Sequence, residues 1–413
     1  MVTDCVLECR EQRNTEIKSL SKDSDVACVK ANVPGLDKNT PCAKLLVSYF
    51  TMLLKNKGLR VEKTLSGADG DCTLFLLKKG KAYKRKFVRL EEHHPLGRFI
   101  DIDVTLKNAT AGLSRKKRRK CFLCNQPAFY CGRIKAHAVK ELLRYMDETT
   151  ERYFTSLLAR TLEKSMQKEL RMNNKFGLVC KNTQGSHTDI DYRSMKRAIN
   201  AVKTPLAACF FVGLKANACE DILTRIRRIG LDCEEKMYEA TGGANAYKGF
   251  IFIGGVLLAS VGYLLGKSLP VSALEETIKS VCKGIDDASD KATFGYKAYH
   301  EHGFGGIRKL CSNGFDVVIN AAKKIQRQPL LQSLCEIVGR LDDSVLLKRS
   351  ITFEKYVYFQ NLISSVDVRD KKQLKTVNRE CLQNNISIGG AADVLIAAIL
   401  LNDLLKIFYF GEV

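Results

Sequence analysis

Apolar positions change their period along this chain, and the change divides it. In the first third, short runs alternate with period two. The clearest is Phe99-Ile100-Asp101-Ile102-Asp103-Val104, where a strand would turn Ile100, Ile102 and Val104 one way and Phe99, Asp101 and Asp103 the other. Residues 26–29 read as a second strand, entering the Pro-Gly turn of Asn32-Val33-Pro34-Gly35. Residues 59–65, 72–77 and 86–90 read as three more, separated by Gly67, Gly70 and Gly80. Leu45, Leu46, Tyr49, Phe50, Leu53 and Leu54 recur at helical spacing instead. That helix starts at Thr40-Pro41, a capping hydroxyl followed by proline at the first helical position, and stops at Gly58. Residues 10–20 predict a further short helix. A helix packed on a mostly antiparallel sheet is an α+β domain.

From Lys140 to Met172 the pattern is helical nearly throughout. Beyond it, long apolar segments at helical spacing dominate and period-two runs are few, so the second part is predominantly α-helical. The expected boundary lies near Asp147-Glu148-Thr149-Thr150, giving an α+β domain over 1–148 and an all-α domain over 149–413. Residues 249–266 form an uncharged stretch of 18 residues between Lys248 and Lys267, the lower limit for a membrane span. Five of them are glycine. That composition also suits a helix buried in an all-α core, and the expectation is a protein without a membrane span.

A length of 413 residues, 45% apolar and 27% charged, accommodates two ordinary soluble domains. The 16 cysteines show no disulfide-framework spacing. Asp4, Glu8 and Arg10 interrupt any leader-like pattern at the start. A reducing cytoplasm is the expected compartment. The net charge of +22 points to anionic partners. Residues 1–150 carry 30 Lys+Arg against 17 Asp+Glu, with a dense run at Arg115-Lys116-Lys117-Arg118-Arg119-Lys120. Such a run is a solvated loop or a nucleic-acid patch. Neither tryptophan nor interleaved aromatics accompany it, so nucleic acid is not the expected partner.

Asp101 and Asp103, two apart on one strand face, suit a hard cation such as Mg2+. Gly97 and Arg98 precede them, where a backbone turn and a cation can meet phosphate oxygens. Downstream, Cys121-x2-Cys124-x6-Cys131-x5-His137 has the ligand types and spacing of a small zinc site. The alternative is a set of reduced, partly buried cysteines at a helix start. In the second part, three clusters carry candidate chemistry. One runs from Lys175-Phe176-Gly177 into Gly185-Ser186-His187-Thr188-Asp189-Ile190-Asp191. A second, Gly242-Gly243-Ala244-Asn245-Ala246-Tyr247-Lys248-Gly249, opens an apolar helix. The third, Ser387-Ile388-Gly389-Gly390-Ala391-Ala392-Asp393, opens another. Glycine-rich turns before helices present N–H groups to phosphate, or let helices pack closely.

The stretch Glu91 to Val104, with its Gly-Arg and Asp-x-Asp, resembles the signature of the citrate lyase holo-acyl-carrier-protein synthases. Asn32-Val33-Pro34-Gly35 with Lys38 and the Cys…Cys…Cys…His pattern resemble further stretches of that family. The resemblance implies a nucleotidyltransferase fold. It also implies Mg2+ on a triphosphate held by Asp101, Asp103 and Arg98, and transfer to a serine of an apo acyl carrier protein. The three later clusters, in their order and spacing, resemble triphosphoribosyl-dephospho-coenzyme A synthase, which joins ATP and 3′-dephospho-coenzyme A with loss of adenine. That second resemblance implies roles for Lys175 and Lys248 toward triphosphate, Asp189 and Asp191 toward magnesium, and His187 as base. It implies substrate contacts from Gly185, Gly242, Gly243, Asn245, Gly249, Arg349, Ser387, Gly389, Gly390 and Asp393. Cys180, Tyr247, Leu310 and Val345 depart from the family pattern, and Ser350 and Ile351 stand where it has glycines. The reading is therefore a bifunctional enzyme that makes and attaches a prosthetic group. Two alternatives stand beside it: a second part that only scaffolds, or a basic nucleic-acid-binding protein using Arg115 to Lys120.

Overall fold

Asp101 and Asp103 sit on the edge strand of a four-stranded sheet. The computed structural model describes residues 2–109, 111–115, 118–285 and 304–411. Strands β1 (Asp25–Ala31), β2 (Val61–Leu65), β3 (Cys72–Leu77) and β4 (Ile100–Thr105) pair antiparallel in the order β2-β3-β1-β4. The register sets Lys30 opposite Asp101 and Cys28 opposite Asp103. Helix α1 (Val2–Ser21) is longer than its sequence pattern suggested, and its Ile17 and Leu20 pack on the Val26, Cys28, Cys72 and Leu74 face. Helix α2 (Pro41–Lys55) begins as expected, with the Thr40 hydroxyl accepting from the Ala43 N–H. It packs on the opposite face of the sheet, where Thr51 bonds Thr73.

Two expectations need correction. Residues 86–90 are not a strand but part of helix α3 (Gly80–His93). Its buried face is Lys84, Phe87 and Glu91, a helical spacing hidden from a hydrophobicity pattern because two of the three are charged. Their burial has a purpose. Lys84 Nζ donates to the Ile102 carbonyl at 3.0 Å, and the Ile102 N–H donates to Glu91 Oε1 at 2.7 Å. The outer backbone groups of an edge strand are thereby satisfied by side chains instead of by another strand. Phe99, in turn, does not share the aspartate face. It closes a single 3₁₀ turn, Gly97–Phe99, and is buried. Gly97 is required there because a Cβ would lie 2.5 Å from the Leu90 and Glu91 carbonyl oxygens.

After the short helix α4 (Ala128–Arg133), helix α5 (Val139–Leu170) runs from one compact unit of the chain into another. The first unit takes the chain up to Thr155, with Leu265–Val271 and the segment from Lys406; the second takes Ser156–Leu264 and Ser272–Leu405. In the first, the tail segment is tied by Ser48, whose hydroxyl donates to the Tyr409 carbonyl at 2.8 Å.

The second unit is helical, and no named strand falls within its described residues. It contains α6 (Tyr192–Leu214), α7 (Ile222–Thr241), most of α8 (Lys248–Lys267) and a series of shorter helices ending in Gly389–Leu404. Among the described residues α8 alone is long and apolar enough to span a membrane, and 83% of that stretch is buried inside the protein. It is a core helix. Its glycines serve close packing: a Cβ at Gly262 would collide with the Phe210 carbonyl of α6, and one at Gly213 with the Ala259 carbonyl of α8.

Candidate active sites

On β4 the burial alternates residue by residue. Ile100, Ile102 and Val104 are fully buried, while the carboxyl-bearing side chains of Asp101 and Asp103 are 28% and 48% exposed. Three cations converge on them. Lys30 Nζ lies 3.8 Å from Asp101 and 3.3 Å from Asp103, so one positive charge already sits between the two carboxylates. Lys84 Nζ is 3.8 Å from Asp103, and Arg119 Nη2 is 2.7 Å from Asp101. Arg119 also reaches Glu91 at 2.9 Å, with Arg115 Nη2 at 3.5 Å from the same carboxylate. Burial raises the Glu91 pKa, opposed by Arg119, the Ile102 N–H and Arg115. Two arginines of the basic run are thus folded onto acidic groups, which removes them from any nucleic-acid surface.

Asn32 holds the turn before β4: its side chain donates to the Arg98 carbonyl at 3.2 Å and its N–H to the Phe99 carbonyl at 2.8 Å. One Arg98 guanidinium nitrogen, Nη2, is buried without a hydrogen-bond partner. The Lys38 ammonium donates to the Val33 carbonyl. His94 accepts from the Leu96 N–H through Nδ1 at 3.1 Å, and its Nε2 faces the hydroxyls of Tyr49 and Tyr153 at 3.4 and 3.3 Å. Beyond the basic run, the ligand atoms of Cys121, Cys124, Cys131 and His137 all lie within 4.8 Å of one another. Burial and the neighbouring thiols lift the Cys131 pKa to about 11.

In the helical unit the three sequence clusters converge. Gly177 and Gly185 both have positive φ, 83° and 64°, and any Cβ on Gly177 would strike the Ile386 carbonyl and crowd Ser186. His187 Nε2 lies 3.0 Å from Ser387 Oγ, and Arg349 Nη2 lies 3.4 Å from His187 Nδ1. The guanidinium can only donate, so Nδ1 accepts and Nε2 carries the proton. Burial, with Arg349 beside it, lowers the His187 pKa. Arg349 also donates to the Ser186 carbonyl and to Asn385, both at 3.0 Å.

Asp343 is buried and joins two helix starts. It accepts from Val345 and Leu346 at the head of Ser344–Ser350, and from Gly390 and Ala391 at the head of Gly389–Leu404. Asp393 lies close to Gly249, where a Cβ would collide with its carboxylate. Burial, with Asp343 and Glu169 repelling it, holds the Asp393 pKa well above its ordinary value.

Several expected ligands are already engaged. Lys175 is 2% exposed, and its ammonium is bound to Glu169 at 2.6 Å, so it presents no cation to solvent. Asp191 caps α6 in a reciprocal box with Ser194. Lys248 pairs with Glu234 at 2.9 Å, and Asn245 Oδ1 accepts the Lys248 N–H at 3.1 Å. Gly242, at φ 75°, is the left-handed cap that ends α7, and Gly243 follows it at φ 93°. Asp189 remains 60% exposed at its side chain. A pocket beside the cluster is lined by Asn174, Lys175, Gly177, Asn182, Gly185 and Asn378. Sequence reasoning missed Glu91, Lys30, Arg119, Glu169 and Asp343. For Asp343 a signal existed, since Asp343-Ser344-Val345 reads as a helix cap.

Residues 2–153 match the family described as apo-citrate lyase phosphoribosyl-dephospho-CoA transferase. Residues 155–410 match that described as ATP:dephospho-CoA triphosphoribosyl transferase. Protein CitXG of Leuconostoc mesenteroides subsp. cremoris is 26% identical over 444 aligned positions, covering 95% of this chain and 94% of its own. Protein CitXG of Haemophilus influenzae is 26% identical, covering 76% of this chain and 75% of its own. The 2-(5″-triphosphoribosyl)-3′-dephosphocoenzyme-A synthase of Haemophilus ducreyi is 25% identical, covering 68% of this chain and 99% of its own.

Proposed function

The chain belongs to the fused CitX and CitG transferase families, and from that premise we propose how its own residues divide the two reactions. The second part makes triphosphoribosyl-dephospho-CoA from ATP and dephospho-CoA, and the first transfers the group to apo-citrate lyase.

In the synthesis, the 2′-hydroxyl of 3′-dephospho-CoA forms a bond to C1′ of the ATP ribose. The C1′–N bond breaks, adenine leaves, and the triphosphate stays on the sugar. His187 takes the hydroxyl proton, and the departing adenine takes up one proton from solvent to leave as the neutral base. It is neutral at pH 7, and its Nδ1 accepts from Arg349. An arriving triphosphate draws that guanidinium away and frees Nδ1 for the proton. Lys248, at the surface, and Asp189 face the triphosphate and its counter-ion. The buried Lys175–Glu169 pair and the Asp343 bridge hold the glycine-rich turns of the site in place. Gly249 leaves room for the Asp393 carboxyl.

In the transfer, the carrier serine attacks the phosphorus next to the ribose and diphosphate departs. Lys30 lying between Asp101 and Asp103 supports a cation site at the pair, and Mg2+ is the cation we assign there. Bound, it would neutralise the triphosphate during displacement. Arg98 steadies the triphosphate, and Lys30, Lys84 and Arg119 supply further positive charge around it. Asp101 and Asp103 sharing one partly exposed strand face is the observation that carries this reading. Sixteen cysteines without a disulfide-framework spacing suit a reducing cytoplasm, where we place the enzyme.

The purified chain with ATP, Mg2+ and 3′-dephospho-CoA should release free adenine. Adding the apo acyl carrier protein should then release one diphosphate per carrier modified. Asp101→Asn should slow the second step by roughly 100-fold or more while leaving adenine release unchanged. Full transfer in that variant would remove Asp101 from the site.

A further inference from the structure

The segment from 111 to 140 is held together unlike the rest of the first unit. Among its described residues only Cys121 and Cys131 are buried, while Leu123, Phe129, Tyr130 and Ile134 are exposed. Its regular structure among the described residues is two isolated bridges, Thr105–Gly112 and Lys120–Pro127, the six-residue α4 and the first residues of α5. A stretch with so little apolar interior needs another tie to stay folded.

Three sulfurs and one imidazole occupy that interior. Cys124 Sγ lies 3.5 Å from Cys131 Sγ, and His137 Nε2 lies 3.3 Å from Cys124 Sγ. Tetrahedral zinc would set sulfurs about 3.8 Å apart and a sulfur about 3.5 Å from the nitrogen. The observed separations need to open by only a few tenths of an ångström. A disulfide would bring two sulfurs to about 2 Å and leave a thiol and an imidazole over. Thiolate and imidazole ligands without oxygen favour zinc over magnesium or calcium. Four protein ligands leave no open position, so the site is structural.

The cluster is wired to the Asp-x-Asp strand on both sides of Cys121. Two residues before it, Arg119 donates to the Ile100 carbonyl at 2.8 Å and to Asp101 at 2.7 Å. The residue after it, Phe122, packs edge-on against Phe99 with ring centroids 4.9 Å apart. Phe99 adjoins Arg98 in the 3₁₀ turn.

We infer that Cys121, Cys124, Cys131 and His137 bind one Zn2+ whose task is to hold Arg119 and Phe122 against the Asp101 strand and the Gly97–Phe99 turn. This rests on the transferase reading of the first unit, but the metal itself is measured without any activity. The full chain, expressed in zinc-supplemented medium, should carry one zinc per chain by elemental analysis. Cobalt substitution should produce the intense visible bands of a tetrahedral thiolate site. Cys124→Ser should lose the metal. Transfer to the carrier should then fall at least tenfold, while adenine release by the other unit stays unchanged. Because that variant can misfold, the same comparison is made on the wild-type chain stripped reversibly with a mercurial and reloaded. A chain that takes up neither zinc nor cobalt overturns the site. Undiminished transfer by stripped protein overturns the positioning role. Failure of both reactions in metal-replete protein would instead count against the function assigned above.

Discussion

His187 shows how one side chain's protonation follows from its neighbours. Burial and the Arg349 guanidinium both disfavour imidazolium, so its folded pKa lies below the ordinary value of 6.5. Adenine release should therefore lose kcat/KM on the acid side with a midpoint below about 6.5. A flat profile from pH 5 to 8 would remove His187 as base. The sign for stability is the same. His94, whose pKa burial also lowers, and His187 bind fewer protons folded than unfolded near pH 6. Their contribution is present above the unfolded pKa and is lost as pH falls through the folded one. Tyr247 presents a different cost. It is 1% exposed, and its hydroxyl is buried with no hydrogen-bond partner, close to Glu169 and Asp393. Tyr247→Phe should raise stability by about 1 kcal/mol, read as an increase in melting temperature. A lower melting temperature would mean the hydroxyl is satisfied after all.

At the scale of elements, two features depart from what hydrophobic pattern alone predicts. Helix α3 buries Lys84 and Glu91 to complete the hydrogen bonding of β4, so its charged positions are structural. The end of the helix Ser344–Ser350 is the other case. Ile351 adopts φ 68° and ψ −45° while 87% exposed. A β-branched residue is strained there. Ile351→Gly should stabilise the chain by roughly 1 kcal/mol, measured by denaturant midpoint. It should also leave Arg349 in place, because Arg349 is held independently by the Ser186 carbonyl and Asn385. A destabilised variant would show that the isoleucine side chain earns its position by packing.

Across the whole molecule, the uneven charge is the feature with consequence. The net charge is +22, and the first 150 residues hold 30 Lys+Arg against 17 Asp+Glu. Arg115 and Arg119 are neutralised locally by Glu91, Glu92 and Asp101. For an acidic carrier protein the remaining excess predicts electrostatic recognition. Raising ionic strength from about 50 to 300 mM should then raise the carrier's KM several-fold with little change in kcat. A KM insensitive to salt would place recognition in apolar contacts. Two reactions on one chain provide the control: adenine release reports on one active site and diphosphate release on the other.

The strands other than the one expected at 86–90, the Asp-x-Asp face, the helix start at Thr40 and the two family signatures were legible because each depends on local spacing. Period-two alternation puts Asp101 and Asp103 on one side whatever surrounds them. Spacing likewise brought Cys121, Cys124, Cys131 and His137 into one candidate set before any fold was known. What only the tertiary structure decided is which charges meet. Lys30 arrives opposite Asp101 through strand register, Arg119 through a loop that folds back, and Asp343 reaches Gly390 across the sequence. Buried polar groups must find partners from distant parts of the chain, so no local pattern of hydrophobicity reveals them. The same physics took Lys175 out of solvent and gave it to Glu169.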